Sequence, residues 1–486
     1  MLFTFIVACC FFACNDDFEN YSRSPNDRLR FSTDTVAFDT IITTINTPYR
    51  IFKVYNPNKN ALLISSVQLG NGNESDFKIN VDGRSGIDFR DVEIRAGDSI
   101  YVFVDAKPSK NFSNRPEYIT DNVIFSFNGI QQKVVLEASS QDAVIWRGFR
   151  ITDNVILSND KPFVIYDSLV IEEGQTLHLK AGTTLYMHGN AEIIVKGRIQ
   201  AKGTLEQPIV IRGDRFDYFV DIPYDHVPGQ WGGIRLEANS FGNEMEYVQI
   251  RNGKYGFNCL PSTDNTMKLK LKNSVMTNFK GILLNSVNCH IEAENCEFSN
   301  AKDGILNLIG GSYRFTHCTI ANYYMSNQEV GWGNSSNETL QLRFKYCEEE
   351  STDTIYIPIH KADFYNTIIW GQGSGSGILI EGNEKDDTNY INSFFQNCVI
   401  PNEEATNDDP DDPNIVPQVV NCLIYVDPKF LQIRSDDLSY DFRLDSISPA
   451  RNVADPQFSI SLPLDLNGNN RFTDKGPDIG CYEFGM

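Results

Sequence analysis

The sequence predicts an all-β chain in two parts, a β-sandwich followed by a parallel β-helix, and three observations carry that prediction. Short alternating apolar runs separated by turn residues fill positions 31–141. From Trp146 onward, strands of three to five residues punctuated by Gly and Asn take over, with no helical periodicity. Within this second part a cassette of a polar residue (usually Asn), a small residue, an apolar pair and another Asn recurs, and Ser274, Cys296 and Cys318 follow one another at equal intervals of 22 residues. Equal intervals of this size indicate a solenoid.

Residues 1–13, MLFTFIVACCFFA, are apolar and uncharged and end in a small residue before Cys14 and the polar run NDDFEN. They are too short to span a bilayer and read as a signal peptide. Phe11-Phe12-Ala13-Cys14 resembles the bacterial lipobox, although Phe11 stands where Leu is usual and no Lys or Arg precedes the apolar stretch. The resemblance implies lipid attachment at Cys14 and partnership with the outer membrane through that anchor; cleavage elsewhere would leave Cys14 incidental. Asp16, Asp17 and Glu19 look like the export signal of Bacteroidetes-type surface lipoproteins, which implies a cell-surface location. Residues 14–30 then form a flexible tether. With Cys9 and Cys10 lost with the signal and Cys14 lipidated, eight cysteines remain across 223 residues, too sparse for a disulfide scaffold.

The sandwich strands are RIFKVYN, ALLISSVQL, DFKINV, SIYVFVDA, NVIFSF and QKVVLEA, and Asn128-Gly129 supplies a hairpin turn. Asn56 at the end of an early strand, Phe77 after a turn, Ala96-Gly97-Asp98-Ser99 before the VFV strand and the closing VVLEA resemble immunoglobulin-like domains of the ASPM/SPD-2/Hydin type. The resemblance implies a spacer or docking platform.

In the second part, stacking explains the cassette. A rung satisfies its strand edges only when another lies about 4.8 Å above it, so equivalent positions carry equivalent residues. This predicts an inward thiol and hydroxyl ladder through Ser274, Cys296 and Cys318, and Asn ladders at the corners. Cassette residues recur at Asn366-Thr367, Asn397-Cys398 and Asn421-Cys422. His317 occupies a cassette position and is expected to be structural. Gln230-Trp231-Gly232-Gly233-Ile234 resembles the W-x-G-I element of extracellular β-helix proteins, which implies a packing role for Trp231. Three interruptions, 214–229, about 322–362 and 401–417, are expected as insertions at one corner. The ending, Leu464-Asp465-Leu466-Asn467-Gly468-Asn469-Asn470-Arg471 and then Asp478-Ile479-Gly480-Cys481-Tyr482-Glu483, resembles bacterial surface proteins with a right-handed β-helix and a choice-of-anchor Q domain. The resemblance implies a right-handed parallel β-helix over 146–486 with a C-terminal cap on its last rung.

A net charge of −22 and the lack of a basic run exclude nucleic acid as a partner. No Cys-x-x-Cys or paired-His spacing supports a zinc site. Asp465-Leu466-Asn467-Gly468-Asn469 lacks the full calcium-loop register and is expected to be a turn salt-bridged to Arg471. No cofactor is expected beyond weak calcium binding by the carboxylates of 403–412. β-Helices host polysaccharide lyases and glycosidases, but no Arg and Lys cluster is visible in the rungs. Tyr323, Tyr324, Trp332 and Trp370 are the candidate carbohydrate contacts, since aromatic rings stack on sugars. No catalytic residue stands out. The expected function is a non-catalytic surface lipoprotein that binds a polysaccharide or a surface protein; the alternatives are a polysaccharide-cleaving enzyme and an inert stalk.

Overall fold

The computed structural model describes residues 21–43, 45, 47–110, 112–219, 222–262, 265–324, 338–347, 353–372, 377–381, 390–401, 418–434 and 438–485. The chain divides into two compact units, Met1–Asp142 and Ala143–Met486.

The first unit is a sandwich of two five-stranded sheets. One sheet holds Arg50–Tyr55, Ser99–Ala106 and Phe77–Val81; the other holds Thr35–Ile42, Ile130–Gln141, Glu117–Phe127 and Leu62–Leu69. Alternation along each strand turns Phe52, Val54, Val102 and Val104 inward against Val123, Phe125 and Leu136. Asn128 and Gly129 both take positive φ, 47° and 76°, and join Phe127 to Ile130 in the tight hairpin that the Asn-Gly pair predicts. Asn56 is fully buried, and its side-chain amide donates to the carbonyls of Asn60, Ile94 and Arg95. Residues 21–30 are docked rather than free as a tether: Ser22 N–H donates to Ala61, Leu29 N–H to the Gln132 side chain, and Leu29 is buried. An apolar side chain at position 29, surrounded by polar neighbours, is what the tether reading overlooked.

The second unit is a parallel β-helix that opens at Val144–Ile151. Each rung gives one strand to each of three faces, here called sheets I, II and III. One rung is Met267–Lys272, Val275–Phe279 and Leu284–Val287; the next is His290–Glu294, Glu297–Ala301 and Leu306–Ile309. Sheet I contains ten strands among the described residues. Leu, Ile and Phe alternate inward along every strand, and like stacks on like: Phe315, Phe364 and Phe395 form a column with ring centroids 5.2 and 4.8 Å apart and planes within 5°. Trp231 is fully buried in this core, and its indole N–H donates to the Arg251 carbonyl at 2.8 Å.

The corner from sheet I to sheet II carries the cassette. Asn273, Asn295, His317, Asn366, Asn397 and Asn421 all have φ between 49° and 57°, the left-handed region that Asn tolerates best among residues with a Cβ. The following residue points inward, and its hydroxyl or thiol reaches back to the carbonyl two residues earlier: Ser274 to Lys272, Cys296 to Glu294, Cys318 to Thr316, Thr367 to Tyr365, Cys398 to Gln396 and Cys422 to Val420. The ladder therefore serves the turn, adding a second hydrogen bond to a carbonyl that already accepts a backbone N–H from the preceding rung. All eight cysteines of the described residues are free. The Asn ladder is present, with Asn295 Nδ2 donating to Asn273 Oδ1 at 2.7 Å and a second run, Asn307 to Asn285 to Asn258, on sheet III.

Two expectations about the interruptions and the ending are corrected. The interruptions do not share one corner. The first lies between sheets II and III, whereas the hairpin Lys345–Cys347 with Thr354–Tyr356 lies between sheets III and I; between them, Leu340–Arg343 is a true rung strand paired to Leu306–Ile309, because Leu340 and Leu342 alternate inward. The ending does not close the last rung. It turns back along the Asn corner as a strap: Asn397 donates to Val453, Asn366 exchanges bonds with Asp455, His317 meets Ser459 and Gly480, and Asn295 donates to Leu464. Left-handed corners turn their amides outward, and the strap uses them. Gly480, at φ 103°, lies so close that a Cβ there would sit 2.8 Å from Thr319 Oγ1.

Candidate functional site

Register on sheet II brings together residues distant in sequence. Side chains facing away from the core form two columns. One runs Val210, Gln249, Val275, Glu297, Thr319 and Ile368; the other runs Tyr186, Arg212, Arg251, Thr277, Ser299, Ala321 and Trp370. Towards the C-terminal rungs this face is covered by the hairpin Phe430–Arg434 with Ser439–Leu444, which packs on Ala321, Ile368 and Val399. One stage earlier the face opens into a cleft of 430 Å³ floored by Gln249, Arg251, Thr277 and Glu297. Asp225 and His226 from the first interruption form one rim, and Ser439, Tyr440 and Phe442 form the other.

The Asp225 rim is fixed from below. Asn252 Nδ2 donates to the Asp225 carbonyl at 2.7 Å, and Asn278 Nδ2 donates to the His226 carbonyl at 2.8 Å. Both amides belong to left-handed corner residues, with φ of 68° and 69°. Asp225 Oδ1 accepts from Arg251 Nε at 2.7 Å and lies 3.1 Å from Arg212 Nη1. Burial pushes the Asp225 carboxyl up, but the Arg251 hydrogen bond and the two guanidinium charges outweigh it and hold the group below the usual range. Two cations on neighbouring rungs thus share the Asp225 carboxylate, and the Asp214 charge acts on Arg212 as well.

Glu297 sits at the opposite end under different physics. It is buried, accepts from Tyr482 Oη at 2.5 Å and from Ser299 Oγ at 2.7 Å, and burial raises its pKa against those hydrogen bonds. Ser299 has one proton and gives it to Glu297, so the 2.8 Å contact between Ser299 and Thr277 uses the Thr277 hydroxyl as donor.

The sequence-derived candidates lie elsewhere. Tyr323 and Tyr324 are 8% and 7% exposed. The Tyr323 ring packs against Phe430 and Phe442, its hydroxyl accepts from the half-buried Trp370, and its carbonyl accepts from Tyr440, so these rings hold the covering hairpin. Cys14, Trp332 and the carboxylates of 403–412 lie outside the described residues. The expectation that the rungs hold no Arg cluster is corrected by Arg212 and Arg251. They are 39 positions apart, not 22, because the first interruption intervenes; aligning Ile211 with Ile250 as inward neighbours is the sequence signal that would have paired them.

The C-terminal turn also differs from expectation. Asp465 accepts from the backbone N–H groups of Asn467, Asn469 and Glu483 and from the Asn469 amide, so the donors of its own turn occupy the carboxylate a calcium ion would need. Arg471, fully buried, pairs instead with Glu483 at 2.6 Å and donates to Asn295 Oδ1 at 2.6 Å. Among the described residues no three His, Cys, Asp or Glu side chains converge to hold a metal, and no helix is long and apolar enough to cross a membrane.

No curated protein matches the chain. Solved structures that match in part are the Vibrio cholerae VesB protease, at 15% identity over 23% of this chain with a TM-score of 0.17, and the ASH/PapD-like domain 7 of human CEP192, at 11% identity over 26% of this chain with a TM-score of 0.17. The chain covers 31% of the protease and 91% of the human domain. The family profile described as a pectate-lyase-like β-helix domain matches residues 149–409, more than half of the chain. With its rungs, its three parallel faces and this match, the chain belongs to the pectate-lyase-like β-helix domain family.

Proposed function

We propose that this is a lipid-anchored outer-membrane protein of the cell surface whose β-helix binds a polysaccharide in the sheet II cleft without cleaving it. The observation that carries the reading is the chemistry of the floor: amide, hydroxyl and guanidinium groups of Gln249, Thr277, Asn278 and Arg251 converge in one cleft beside Tyr440, a mixture suited to a polyhydroxylated ligand. Its two carboxylates are engaged, Asp225 with two arginines and Glu297 with Tyr482 and Ser299, which favours binding over acid–base work. The anchor rests on the lipobox-like Phe11-Phe12-Ala13-Cys14.

The test is a glycan array followed by product analysis. Binding that falls at least fivefold in Arg251→Ala, with no new reducing ends or unsaturated sugars, supports the reading; absence of binding defeats it. Labelling with a palmitate analogue, lost in Cys14→Ala, tests the anchor. A second reading, polysaccharide cleavage, is favoured by the raised pKa of Glu297 in the cleft and by the enzyme in the family's description. Product formation abolished in Glu297→Gln would establish it.

A further inference from the structure

The outer face of one sandwich sheet presents a run of aromatic rings that the core does not use. Strand alternation turns Phe52, Val54, Val102 and Val104 inward, so Ile51, Lys53, Tyr101 and Phe103 face outward, and the register sets Ile51 beside Phe103 and Lys53 beside Tyr101. Tyr49, Ile51 and Tyr101 are 64%, 54% and 45% exposed. The rings are contiguous: Tyr49 to Phe103 is 6.2 Å between centroids and Tyr101 to Phe103 is 6.4 Å. Lys53 Nζ lies 4.8 Å from the centre of the Tyr101 ring. The next strand adds Asn80 beside Phe103 and Lys78 beside Asp105.

Exposed rings at such a density are a binding surface, and their neighbours indicate the occupant. A protein interface concentrates apolar groups at its centre and excludes Lys and Asp from it. Here Tyr101 adjoins Lys53 and Phe103 adjoins Asn80, so C–H-stacking faces alternate with hydrogen-bonding groups. A sugar chain presents the same alternation, with apolar ring faces edged by hydroxyls. Lys53 and Lys78 against Asp105 leave the patch slightly positive while the chain as a whole carries −22, so the face attracts a neutral or anionic partner that the rest of the chain does not.

We propose that the Tyr49, Tyr101 and Phe103 face of the sandwich is a second polysaccharide-binding site, separate from the sheet II cleft. The site grips by ring stacking, and Lys53 and Asn80 orient the hydroxyls. Affinity electrophoresis of the full chain through gels containing a neutral β-glucan, a galactomannan or a polyuronate tests it. With the cleft disabled by Arg251→Ala, the expected result is retardation in at least one gel that weakens at least fivefold when Tyr49→Ala or Tyr101→Ala is added and persists when Tyr101→Phe is added. Unchanged far-ultraviolet circular dichroism and an unchanged melting temperature would show that the alanine variants remain folded. In that background, retardation that is equal with and without the added alanine substitutions, or that occurs in none of the gels, overturns the proposal. Loss in Arg251→Ala alone would leave the cleft reading standing, so the two fail separately.

Discussion

His317 occupies a position where its counterparts on other rungs are asparagine, and the reason lies in its partners. It is fully buried; Nδ1 donates to the Gly480 carbonyl at 3.2 Å, while Nε2 contacts Ser459 Oγ at 2.8 Å and Asn366 Nδ2 at 3.0 Å, a pattern only a neutral ring satisfies. Burial and the nearby Arg471 charge lower its pKa well below 6.5, so the unfolded chain takes up a proton near pH 6.5 that the folded chain refuses. Stability attributable to this ring is full above pH 6.5 and falls as pH falls below it. Glu483, pushed up by burial to about 7, acts in the opposite sense: its contribution is present below 4.5 and is lost as pH rises through 7. The two are separated by subtraction. Urea midpoints measured from pH 8 to pH 5 are expected to fall less steeply in His317→Asn than in wild type; parallel curves would refute the neutral-ring assignment.

At the scale of the strand and corner, sequence reading succeeded where the interval was regular. Ser274, Cys296 and Cys318 announced their stacking because two consecutive rungs have the same length, and the Asn ladders followed from the same register. It failed where the interval changed. Arg212 and Arg251 each follow a paired inward isoleucine, Ile211 and Ile250, on adjacent rungs, but the first interruption hides it, and with it the cleft. The aromatics Tyr323 and Trp370 drew attention through residue type, which does not distinguish a ring that packs a hairpin from one that meets a ligand. The partner of Arg471 was illegible for a different reason: Asp465 is near in sequence, yet its own turn saturates it, and only tertiary placement reveals Glu483. Thiol burial offers a direct check of the ladder. Under native conditions an aromatic disulfide reagent is expected to modify the exposed Cys347 at once and the half-buried Cys422 slowly, while Cys259, Cys289, Cys296, Cys318, Cys398 and Cys481 react only on unfolding. Fast modification of Cys296 or Cys318 would contradict the inward ladder.

Over the whole β-helix, the strap changes what kind of object the coil is. Stacked rungs ordinarily depend only on their neighbours and can fray one at a time. Here the amides of Asn397, Asn366 and Asn295 and the ring of His317 are bound by one segment, and each such bond contributes about 0.5–1.5 kcal/mol. Ending the chain at residue 446 is therefore expected to remove on the order of 5 kcal/mol and to replace one cooperative melting transition of the coil by two. Circular dichroism melting with limited proteolysis measures both, and an unchanged single transition would show the strap to be ornamental. The same bonds impose a schedule on synthesis. Asn295 must wait for Leu464, 169 residues later, and at ordinary elongation rates that interval is on the order of ten to thirty seconds. Throughout it the central windings exist without their fastening, held only by contacts between adjacent windings until the strap has been made.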